Sequence, residues 1–424
     1  MLFMRRIVVI GAGAAGMMAA GAAAGPGNLV LLVEKNRVPG KKVLVTGGGR
    51  CNITNVDDAE AMLGKALRNP RFLNSALRGF DSADMLAFLD EIGLEYKVEE
   101  KGRVFPLSDR AQDFVDALYG YLRRRGVDIR LNCKVAEVSG DGVSGFVVAL
   151  ENGERLACDA VIVATGGLSA PGTGSDGDGY RFARALGHSV GKLYPSIVAL
   201  VVDAPWTGSL MGIGLEDICL TVLEGDKAVF KDAGAVMFTH FGISGPVVLR
   251  ASAYLADKLH LGLEFCFDMK PEMTVNELDG YILDVLRANS NKGVGNALKA
   301  RAVLPEQVLD VLLSVQGIAP DVRARDLTTK ARRGLAHSMK RFGMMVKGSV
   351  GFGGAVITSG GVDVRQINAS TMESKLVCGL YFAGELIDVD ALTGGYNLQI
   401  AFSTGRLAGL SAAGKREAGG VRYD

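Results

Sequence analysis

The chain opens with a hydrophobic pattern that predicts a strand, a helix and a second strand in succession. Residues 6–10 (RIVVI) form a short apolar run that is typical of a buried strand, and Leu29–Val33 form another. The Gly- and Ala-rich stretch between them predicts a helix that ends near Ala24, and Pro26-Gly27 supply the turn into the second strand. A strand–helix–strand unit of this kind indicates a parallel sheet in an α/β fold.

Farther along, the hydrophobic pattern changes between strand and helix character. Strand-like runs between residues 127 and 165 end in the apolar AVIVAT, which predicts a buried strand. Residues 193–270 contain short strands broken by Gly and Pro, and 271–341 are mainly helical. Strand character then returns before a last helix near 397–413. The pattern therefore predicts an α/β protein with a different kind of segment in its middle.

The stretch between the first strand and its helix has the glycine spacing of a turn that binds nucleotide phosphates. Gly11 permits the tight turn, Gly13 lets the backbone approach a pyrophosphate, and Gly16 lets the helix pack against the strand. The amino end of the helix then offers free N–H groups and a favourable dipole. Glu34 ends the second strand 18 residues after Gly16, where its carboxylate can accept both ribose hydroxyls. The sequence therefore predicts a dinucleotide site that rejects NADP.

Two further glycine-rich segments favour FAD over NAD as the dinucleotide. Thr46–Asn52 form a second loop whose three consecutive glycines can expose a row of backbone N–H groups, and Arg50 offers a fork for phosphate or an anionic flavin edge. Tyr381–Glu385 precede Thr393–Gln399 and the last helix, whose amino end can support negative charge on a reduced flavin. We therefore predict that the protein binds FAD non-covalently.

Composition and charge narrow the remaining function classes. Hydrophobic residues make up 48% of the 424 residues, and the net charge of +1 gives no overall attraction to nucleic acid or membrane. The six cysteines and four histidines show no metal-ligand spacing, so we predict no metal site. The apolar start is interpreted as the dinucleotide turn rather than as a signal peptide, and no other stretch is apolar enough to span a membrane. We therefore predict a cytoplasmic protein, of an oligomeric state that the sequence does not define.

Four stretches carry a more specific signal, namely GKKVLVTGGGRCNITN (40–55), GRVFPLSD (102–109), FTHFGISGP (238–246) and AGELIDVDALTGGYNLQIAFSTGRLAG (383–409). Together they resemble one family of bacterial FAD flavoproteins over essentially the whole chain. That family includes bile-acid-inducible steroid enone reductases, aminoacetone oxidases and a ribosomal RNA dihydrouridine synthase, and it is distantly similar to fumarate reductase flavoproteins. The resemblance implies a discontinuous Rossmann-like FAD-binding domain at 1–192 and 349–424. It also implies an inserted substrate domain at 193–348, with a β-barrel part and a helical part.

Carried over residue by residue, the resemblance implies FAD contacts in the loops already described and at isolated positions beyond them. The implied contacts are Gly11, Gly13, Ala14, Ala15, Gly16, Glu34, Lys35, Lys42, Thr46, Gly47, Gly48, Gly49, Arg50, Cys51, Asn52, Val135, Thr165, Gly166, Gly384, Glu385, Asn397, Leu398 and Gln399. These residues fit the family pattern at every position. Cys51 lacks a CxxC partner, so a packed side chain is favoured over a redox-active thiol.

Four residues are candidates for catalysis on the substrate. His240 and Ser244 belong to a Gly- and Pro-rich segment, and Arg103 and Tyr396 belong to motifs that the family shares. The preferred reaction is hydride transfer from reduced flavin N5 to the β-carbon of a conjugated C=C bond, with His240 or Tyr396 protonating the α-carbon. The substrate is expected to be an enone-like small molecule or the uracil ring of RNA.

Several alternatives stay open for the electron transfer and for the function. NAD(P)H is the expected reductant and would dock transiently, because Gly172–Gly177 lack the strand context of a second nucleotide site. The rival enzyme is a flavin amine oxidase that returns electrons to O₂, although a single tryptophan, Trp206, makes a full aromatic pocket less favoured. A third alternative is a flavin-carrying RNA- or protein-binding module without turnover.

The segment 287–347 departs from the balanced charge of the whole chain. It contains twelve Lys and Arg residues against four acids, a local charge of about +8. A solvated helix face and a surface that guides structured RNA both agree with this excess. Arg325, Arg332 and Arg333 are the cations that we single out for a test of the RNA hypothesis.

Overall fold

The structure is a computed structural model that describes residues 4–414 and divides into two compact units. One unit contains the chain up to Ser196 and from Phe352 onward, and the other contains Ile197–Gly351. The sequence pattern places the boundaries between the two units at 192/193 and 348/349. The two placements differ because Tyr194–Ser196 pair with Ile357–Ser359 in a small antiparallel sheet of the first unit. Strands of three residues are too short for a sequence pattern to assign to either unit.

Before Ile197, the chain alternates between short strands and helices. The strands are β1 Arg5–Ile10, β2 Asn28–Val33, β3 Thr54–Asn55, β4 Tyr96–Glu99, β5 Arg103–Pro106, β6 Asp128–Arg130, β7 Val135–Gly140, β8 Phe146–Leu150, β9 Arg155–Cys158, β10 Ala160–Val163 and β11 Tyr194–Ser196. The helices are α1 Ala14–Ala23, α2 Ala59–Leu63, α3 Asn74–Gly79, α4 Ser82–Ile92, α5 Ala111–Arg124 and α6 Asp178–Ala185.

The second unit and the return of the chain to the first unit complete the fold. The strands of the second unit are β12 Leu200–Val202, β13 Gly214–Glu224, β14 Lys227–Thr239, β15 Gly242–Ser244, β16 Glu264–Asp268 and β17 Phe342–Ser349. Its helices are α7 Pro246–Tyr254, α8 Val275–Ala288, α9 Val294–Lys299, α10 Glu306–Val315 and α11 Thr329–Lys340. The returning chain forms β18 Ile357–Ser359, β19 Leu380–Phe382 and α12 Tyr396–Ala412.

A parallel sheet forms the centre of the first unit. Its five strands run in the order β19-β10-β1-β2-β6, and all neighbouring pairs are parallel. Residues 7–10 of β1 and 160–163 of β10 are buried, as expected for inner strands of an α/β sheet. The predicted α/β fold is confirmed, and the bounds of the first predicted strand and of the last predicted helix differ from those of β1 and α12 by at most one residue.

Helices α1 and α12 pack against each other at unusually short range. A Cβ atom added to Gly405 would lie 2.2 Å from the carbonyl oxygen of Ala15, and one added to Gly409 would lie 2.2 Å from that of Ala19. Both distances are far below a permitted contact. The two glycines, one helical turn apart on α12, therefore allow the backbones of the two helices to approach.

In the second unit, six antiparallel-paired strands form a closed barrel in the order β12-β15-β14-β13-β16-β17. Helices α8–α11 occupy most of the segment between β16 and β17. Helix α8 begins with a capping box, in which Thr274 and Glu277 exchange side-chain to backbone hydrogen bonds. No helix within residues 4–414 is long and apolar enough to cross a membrane.

Candidate cofactor site

The turn after β1 has the backbone geometry that the glycine spacing predicts. Gly11 has φ +99°, and a Cβ there would lie 2.7 Å from the carbonyl oxygen of Ala164, directly after the neighbouring strand β10. A Cβ on Gly13, in contrast, would meet no atom of the described chain within 4 Å. Helix α1 begins directly after Gly13 without a side-chain cap. The turn therefore has open space beside free N–H groups, which suits a pyrophosphate.

Glu34 lies directly beside this turn. Its Oε2 accepts a hydrogen bond of 2.7 Å from the backbone N–H of Ala12. Its Oε1 accepts from the backbone and side-chain nitrogens of Asn36 at 2.8 and 2.7 Å. The segment that leads to Val135 runs alongside, because Cys133 N donates to the Glu34 carbonyl at 2.8 Å. The structure thus brings the turn, Glu34 and the segment that leads to Val135 together, although that segment lies about 100 residues farther along the sequence.

Lys35 is occupied by acids of the same unit. Its Nζ lies 2.6 Å from an oxygen of Asp176 and 3.0 Å from one of Asp178. These acids come from the Gly172–Gly177 region and the start of α6. The Gly172–Gly177 segment therefore packs beside the end of β2, which carries Glu34 and adjoins the first nucleotide turn. No sequence signal indicated this proximity.

The Thr46–Asn52 loop contains a run of left-handed backbone. Gly47, Gly48 and Gly49 have φ +57°, +69° and +89°, and only glycine adopts three such conformations in succession without strain. A Cβ on Gly48 would meet nothing within 4 Å, so this part of the loop faces open space. Consecutive glycines in such a run form a concave row of N–H groups that suits an anion.

The sequence predicts that the Arg50 guanidinium can bind phosphate or flavin, but in the structure two acids already bind it. Its Nε donates to Asp109 at 2.7 Å, its Nη2 binds Glu99, and its guanidinium lies 4.2 Å above the ring of Phe105. The Arg50 hydrogen bond is the largest cause that lowers the pKa of Glu99. The two acids follow Arg50 by 49 and 59 residues, so no local pattern could reveal them. A ligand contact of Arg50 would have to compete with both pairs.

Cys51 and Asn52, the last residues of this loop, are held by the chain itself. The Cys51 side chain is fully buried, and burial raises the pKa of its thiol to about 12. A packed thiol rather than a reactive thiolate agrees with this environment. The Asn52 amide, in the orientation that satisfies its neighbours, donates to the Thr54 carbonyl and accepts from Gly395 N, each at 3.0 Å. It thereby ties the loop to the residue before α12.

A charged network connects two predicted contacts that are far apart in sequence. Lys42 Nζ lies 2.5 Å from Glu385 Oε2 and also hydrogen-bonds Ser169 Oγ. The other oxygen of Glu385 accepts from Ser169 Oγ and from the backbone N–H of Thr358 at 2.8 Å. Ser169 and Thr358 were missed in the sequence, because a lone hydroxyl residue has no recognisable spacing. Nearby in sequence, the hydroxyl of Thr165 is buried without a hydrogen-bond partner among residues 4–414.

At the start of α12, backbone N–H groups are free, whereas two side chains are already hydrogen-bonded. Gly395 precedes the helix in a left-handed conformation without a side-chain cap, so N–H groups of the first turn are free. The side chains of Asn397 and Gln399 are occupied: Asn397 bonds the backbone of Ala391 at 2.9 and 2.7 Å, and buried Gln399 accepts from Thr54 Oγ1 at 2.7 Å. Any cofactor contact here would therefore use the backbone rather than these two amides.

The four catalytic candidates lie in different units. Tyr396 and Arg103 belong to the first unit, and His240 and Ser244 belong to the second. The Tyr396 hydroxyl donates to Asp57 at 2.8 Å, and burial together with this acid raises its pKa well above the ordinary range. Arg103 donates from Nε to the Glu100 carbonyl at 3.2 Å.

On the barrel, His240 and Ser244 share the β14–β15 hairpin. His240 is exposed in the turn with its ring 4.9 Å from that of Phe241, and Ser244 pairs with Met237 across the hairpin. Within residues 4–414, no group of three or more His, Cys, Asp or Glu is placed to hold a metal ion.

Acids that the local count omitted offset about half of the charge excess of the basic segment 287–347. Four partner acids, Asp203, Glu264, Asp268 and Asp279, lie outside the segment. Arg332 is the clearest case, because its guanidinium binds both oxygens of Asp279 at 2.7 and 3.0 Å and is mostly buried. The paired cations are Lys299, Arg325, Arg332, Arg333, Lys340, Arg341 and Lys347. With these four outside acids counted, the local excess of about +8 falls to about +4, and a basic surface for RNA stays a prediction.

The fold and this site define a dinucleotide-binding α/β protein of the flavoprotein class. The parallel sheet, the glycine turn and the acid that closes β2 together support that class. The chain belongs to the family of HI0933-like proteins, whose Rossmann domain matches residues 5–411, and this family is one of flavin-dependent oxidoreductases. The family resemblance that the four sequence stretches indicated is confirmed.

Two relatives match this chain over nearly their whole length. The ribosomal RNA dihydrouridine synthase of Escherichia coli is 33% identical over 398 residues, which is 94% of this chain and 95% of that protein. The 3-dehydro-bile acid delta(4,6)-reductase of Clostridium scindens is 33% identical over 422 residues, which is 97% of this chain and 99% of that protein.

Among solved structures, a 3-ketosteroid delta1-dehydrogenase from Sterolibacterium denitrificans has a TM-score of 0.52 and 14% identity, and covers 97% of this chain and 100% of its own. A 3-ketosteroid-delta4-(5alpha)-dehydrogenase from Rhodococcus jostii has a TM-score of 0.50 and 17% identity, and covers 97% of both chains. At these identities the likeness establishes the fold.

Proposed function

We propose that this protein is an FAD-dependent reductase of a carbon–carbon double bond that is conjugated to a carbonyl group. The observation that carries the proposal is the near full-length match to two relatives with different substrates. One is named for a bile acid delta(4,6)-reductase, and the other forms dihydrouridine, the product of reducing the C5=C6 bond of uracil. Both names describe addition of two hydrogens across a ring double bond next to a carbonyl. The shared reaction is therefore a better inference than either substrate.

Several features of the first unit support the FAD part of the proposal. The open side of Gly13 and the uncapped start of α1 suit the pyrophosphate. Glu34, oriented by Ala12 and Asn36, suits the ribose hydroxyls of the adenosine half. Bound FAD would supply the hydride. The uncapped N–H groups of α12 would stabilise negative charge that develops on a bound ring.

The sequence offers two candidates for the proton donor, Tyr396 and His240. The Tyr396 hydroxyl keeps its proton at neutral pH but already donates it to Asp57. His240 is exposed and lies in the second unit. Both residues stay candidates for the acid. Tyr396→Phe or His240→Asn should slow substrate reduction if the substituted residue protonates the α-carbon.

A small basic surface supports RNA as the substrate class more specifically than the whole segment 287–347. We define this surface as Arg287, Lys292, Arg323 and Arg325. Lys292 O accepts from Ala324 N at 2.9 Å, and Arg325 N donates to Ser290 O at 3.3 Å, so two chain segments hold Lys292, Arg323 and Arg325 close together, and Arg287 precedes them at the end of α8. All four are exposed, and Arg287, Lys292 and Arg323 form no ion pair within residues 4–414.

The RNA hypothesis needs a different variant from Arg325/Arg332/Arg333→Ala, because Arg332 holds α11 to α8 through Asp279. We expect Lys292→Ala/Arg323→Ala to lower RNA affinity and to reduce the slope of log K against log salt by about 2. Lys227→Ala/Lys231→Ala, two exposed cations on β14, form the charge-matched control. Equal slopes for both variants and wild type would show that these cations do not bind RNA and that the surface is only a solvated face.

The reaction itself is tested with the chemically reduced protein under anaerobic conditions. An α,β-unsaturated ketone and a uridine-containing ribosomal RNA fragment are offered separately, each with its saturated analogue as control. We expect one unsaturated substrate to gain two hydrogens by mass spectrometry. NADH and NADPH are then compared as reductants, since the transient docking of NAD(P)H stays a prediction. A small amine that is oxidised with O₂ consumption, while neither unsaturated compound reacts, would favour the amine oxidase alternative.

A further inference from the structure

The Arg50 side chain links the glycine loop Thr46–Asn52 to the hairpin of β4 and β5, through two acids that sequence reasoning did not select. Its Nε donates to Asp109 Oδ1 at 2.7 Å, and its Nη1 and Nη2 bind the two oxygens of Glu99. Glu99 is the last residue of β4, and Asp109 lies three residues after the end of β5. The two acids therefore hold one guanidinium from two sides.

The buried ring of Phe105 contacts both the guanidinium and the loop. Its centroid lies 4.2 Å from Cζ of Arg50, and a Cβ added to Gly47 would lie 3.3 Å from the ring atom Cε1. Lys97, which is opposite Phe105 in the β4–β5 pairing, binds Asp109 at 2.6 Å. Arg50 is thus fixed by ring stacking and by two carboxylates, one of which is itself held by a second cation.

These ion pairs are of a stronger kind than an isolated pair at a protein surface. A single exposed pair contributes little, but a bidentate contact between arginine and a carboxylate, or a network of several charges, is an exception. The network comprises Arg50, Lys97, Glu99, Arg103 and Asp109. The hydrogen bond from Arg50 lowers the pKa of Glu99, and those from Lys97 and Arg50 lower the pKa of Asp109. Both acids are therefore charged at neutral pH.

The loop needs such an anchor because its glycines have no side chains to pack. Gly47–Gly49 are all left-handed, and glycine loses more conformational freedom on ordering than any other residue. The base of the loop is closed by the hydrogen bond of 3.0 Å from Cys51 N to the Thr46 carbonyl. Arg50 directly follows the glycine run, so the contacts of its guanidinium restrain the end of the run against the hairpin.

We propose that Arg50, Glu99 and Asp109 are positioning residues that hold Gly47–Gly49 in the anion-binding conformation before FAD binds. The inference rests on the FAD part of the proposed function. In this role Arg50 acts on the cofactor through the backbone of the loop, whereas the sequence favoured a direct contact with phosphate or flavin. A row of N–H groups that is already formed binds an anion without the cost of ordering the loop.

The two roles of Arg50 predict opposite effects when its acids are neutralised. If Arg50 contacts FAD directly, Glu99→Gln/Asp109→Asn frees the guanidinium from its competitors and removes two negative charges beside an anionic ligand, so FAD affinity should rise. In the positioning role the same double variant loses the anchor, and we expect FAD affinity to fall about tenfold.

Titration of the apoprotein with FAD, followed by flavin fluorescence, measures this difference. Arg50→Lys keeps the positive charge but loses the planar fork, and its FAD affinity should also fall about tenfold. Glu60→Gln, which changes an exposed acid paired with Arg78, is the control and should bind FAD as wild type does. Circular dichroism checks that each variant folds, and Glu99→Gln alone takes the place of the double variant if that one unfolds.

Hydrogen exchange of the apoprotein gives a second readout that needs neither cofactor nor turnover. The Cys51 N–H, bonded to the Thr46 carbonyl, reports opening of the loop, and it should exchange about tenfold faster in the acid double variant. The Met17 N–H in α1 should exchange as in wild type, which distinguishes a local change from general destabilisation.

Equal or higher FAD affinity of the acid double variant, or unchanged exchange at Cys51, would overturn the assignment of Glu99 and Asp109. Failure of wild type to bind FAD would instead refute the proposed function. The exchange measured without cofactor would then still decide whether the two acids hold the loop.

Discussion

The backbone N–H of Ala12 donates a 2.7 Å hydrogen bond to Oε2 of Glu34, across 22 residues of sequence. The contact joins the glycine turn after β1 to the acid that ends β2. It fixes the Glu34 carboxylate before any ribose is present, so that binding does not have to order the side chain. The pyrophosphate and ribose parts of the predicted site are thus built as one unit.

Glu34→Ala should lower FAD affinity at least tenfold. The change removes charge-assisted hydrogen bonds to the ribose, each worth about 1.5–3 kcal/mol, and also frees the Ala12 N–H. Titration of the apoprotein with FAD, followed by flavin fluorescence, measures the effect. Glu34→Gln keeps one acceptor oxygen and should fall between the two. A dissociation constant for Glu34→Ala equal to that of wild type would place the ribose elsewhere.

Gly409→Ala should destabilise the first unit through the α1–α12 contact. The added Cβ would lie 2.2 Å from the carbonyl oxygen of Ala19, and separating the two helices should cost about 1–3 kcal/mol or more. Urea unfolding followed by circular dichroism gives the free energy. Gly280→Ala, within α8, is the matched control, because its Cβ would meet nothing within 4 Å. That change should stabilise the protein by up to about 1 kcal/mol. Similar effects of the two substitutions would contradict the close helix packing.

Cys51 should resist alkylation in the folded protein, whereas Cys378 should react. The Cys51 thiol is buried with a pKa raised to about 12, so the thiolate that attacks iodoacetamide is scarce at pH 8. Cys378 is exposed. Peptide mass spectrometry after a timed reaction distinguishes the two sites. Modification of Cys51 at a rate comparable to that of Cys378 would support the redox-active alternative.

The stability of the protein should carry a pH dependence from Asp390. A pKa raised from 3.8 to about 6 means that the folded state holds a proton that the unfolded state has lost between these pH values. The free energy of unfolding should therefore fall by about 2–3 kcal/mol as pH rises from about 4 to 7. Asp390→Asn should lack this component when both proteins are unfolded by urea across that range. If the free energy of unfolding changes with pH equally in the two proteins, the pKa of the Asp390 carboxyl is not raised.

The elements that could be predicted from sequence are those that local chemistry determines. The β1 turn with Gly11, Gly13 and Gly16 and the acid at position 34 have their signal within one strand–helix–strand unit. The parallel pairing of β1 with β10 follows from two apolar runs of the same kind. In these places a short sequence pattern determines the local structure, so the α/β fold can be predicted from it.

Partners from distant parts of the chain could not be predicted in the same way. The binding of Arg50 by Glu99 and Asp109, of Lys42 by Glu385, and of Arg332 by Asp279 depends on tertiary packing. The charge count within 287–347 omitted Asp279 for this reason, because this acid lies outside the segment in sequence. The burial of Asp390 could not be predicted either, because an isolated acid in the sequence shows nothing of its tertiary surroundings.

The central claim is that the protein passes hydride from flavin to a conjugated double bond. The most direct measurement is anaerobic stopped-flow mixing of the fully reduced flavoprotein with an α,β-unsaturated ketone and, separately, with uridine-containing ribosomal RNA, while flavin absorbance is followed. Our account predicts that one of these compounds reoxidises the flavin in a single turnover, that its saturated analogue does not, and that the product carries two additional hydrogens. A flavin that stays reduced with every conjugated compound, yet is reoxidised rapidly by O₂ after reduction by a small amine, would contradict it.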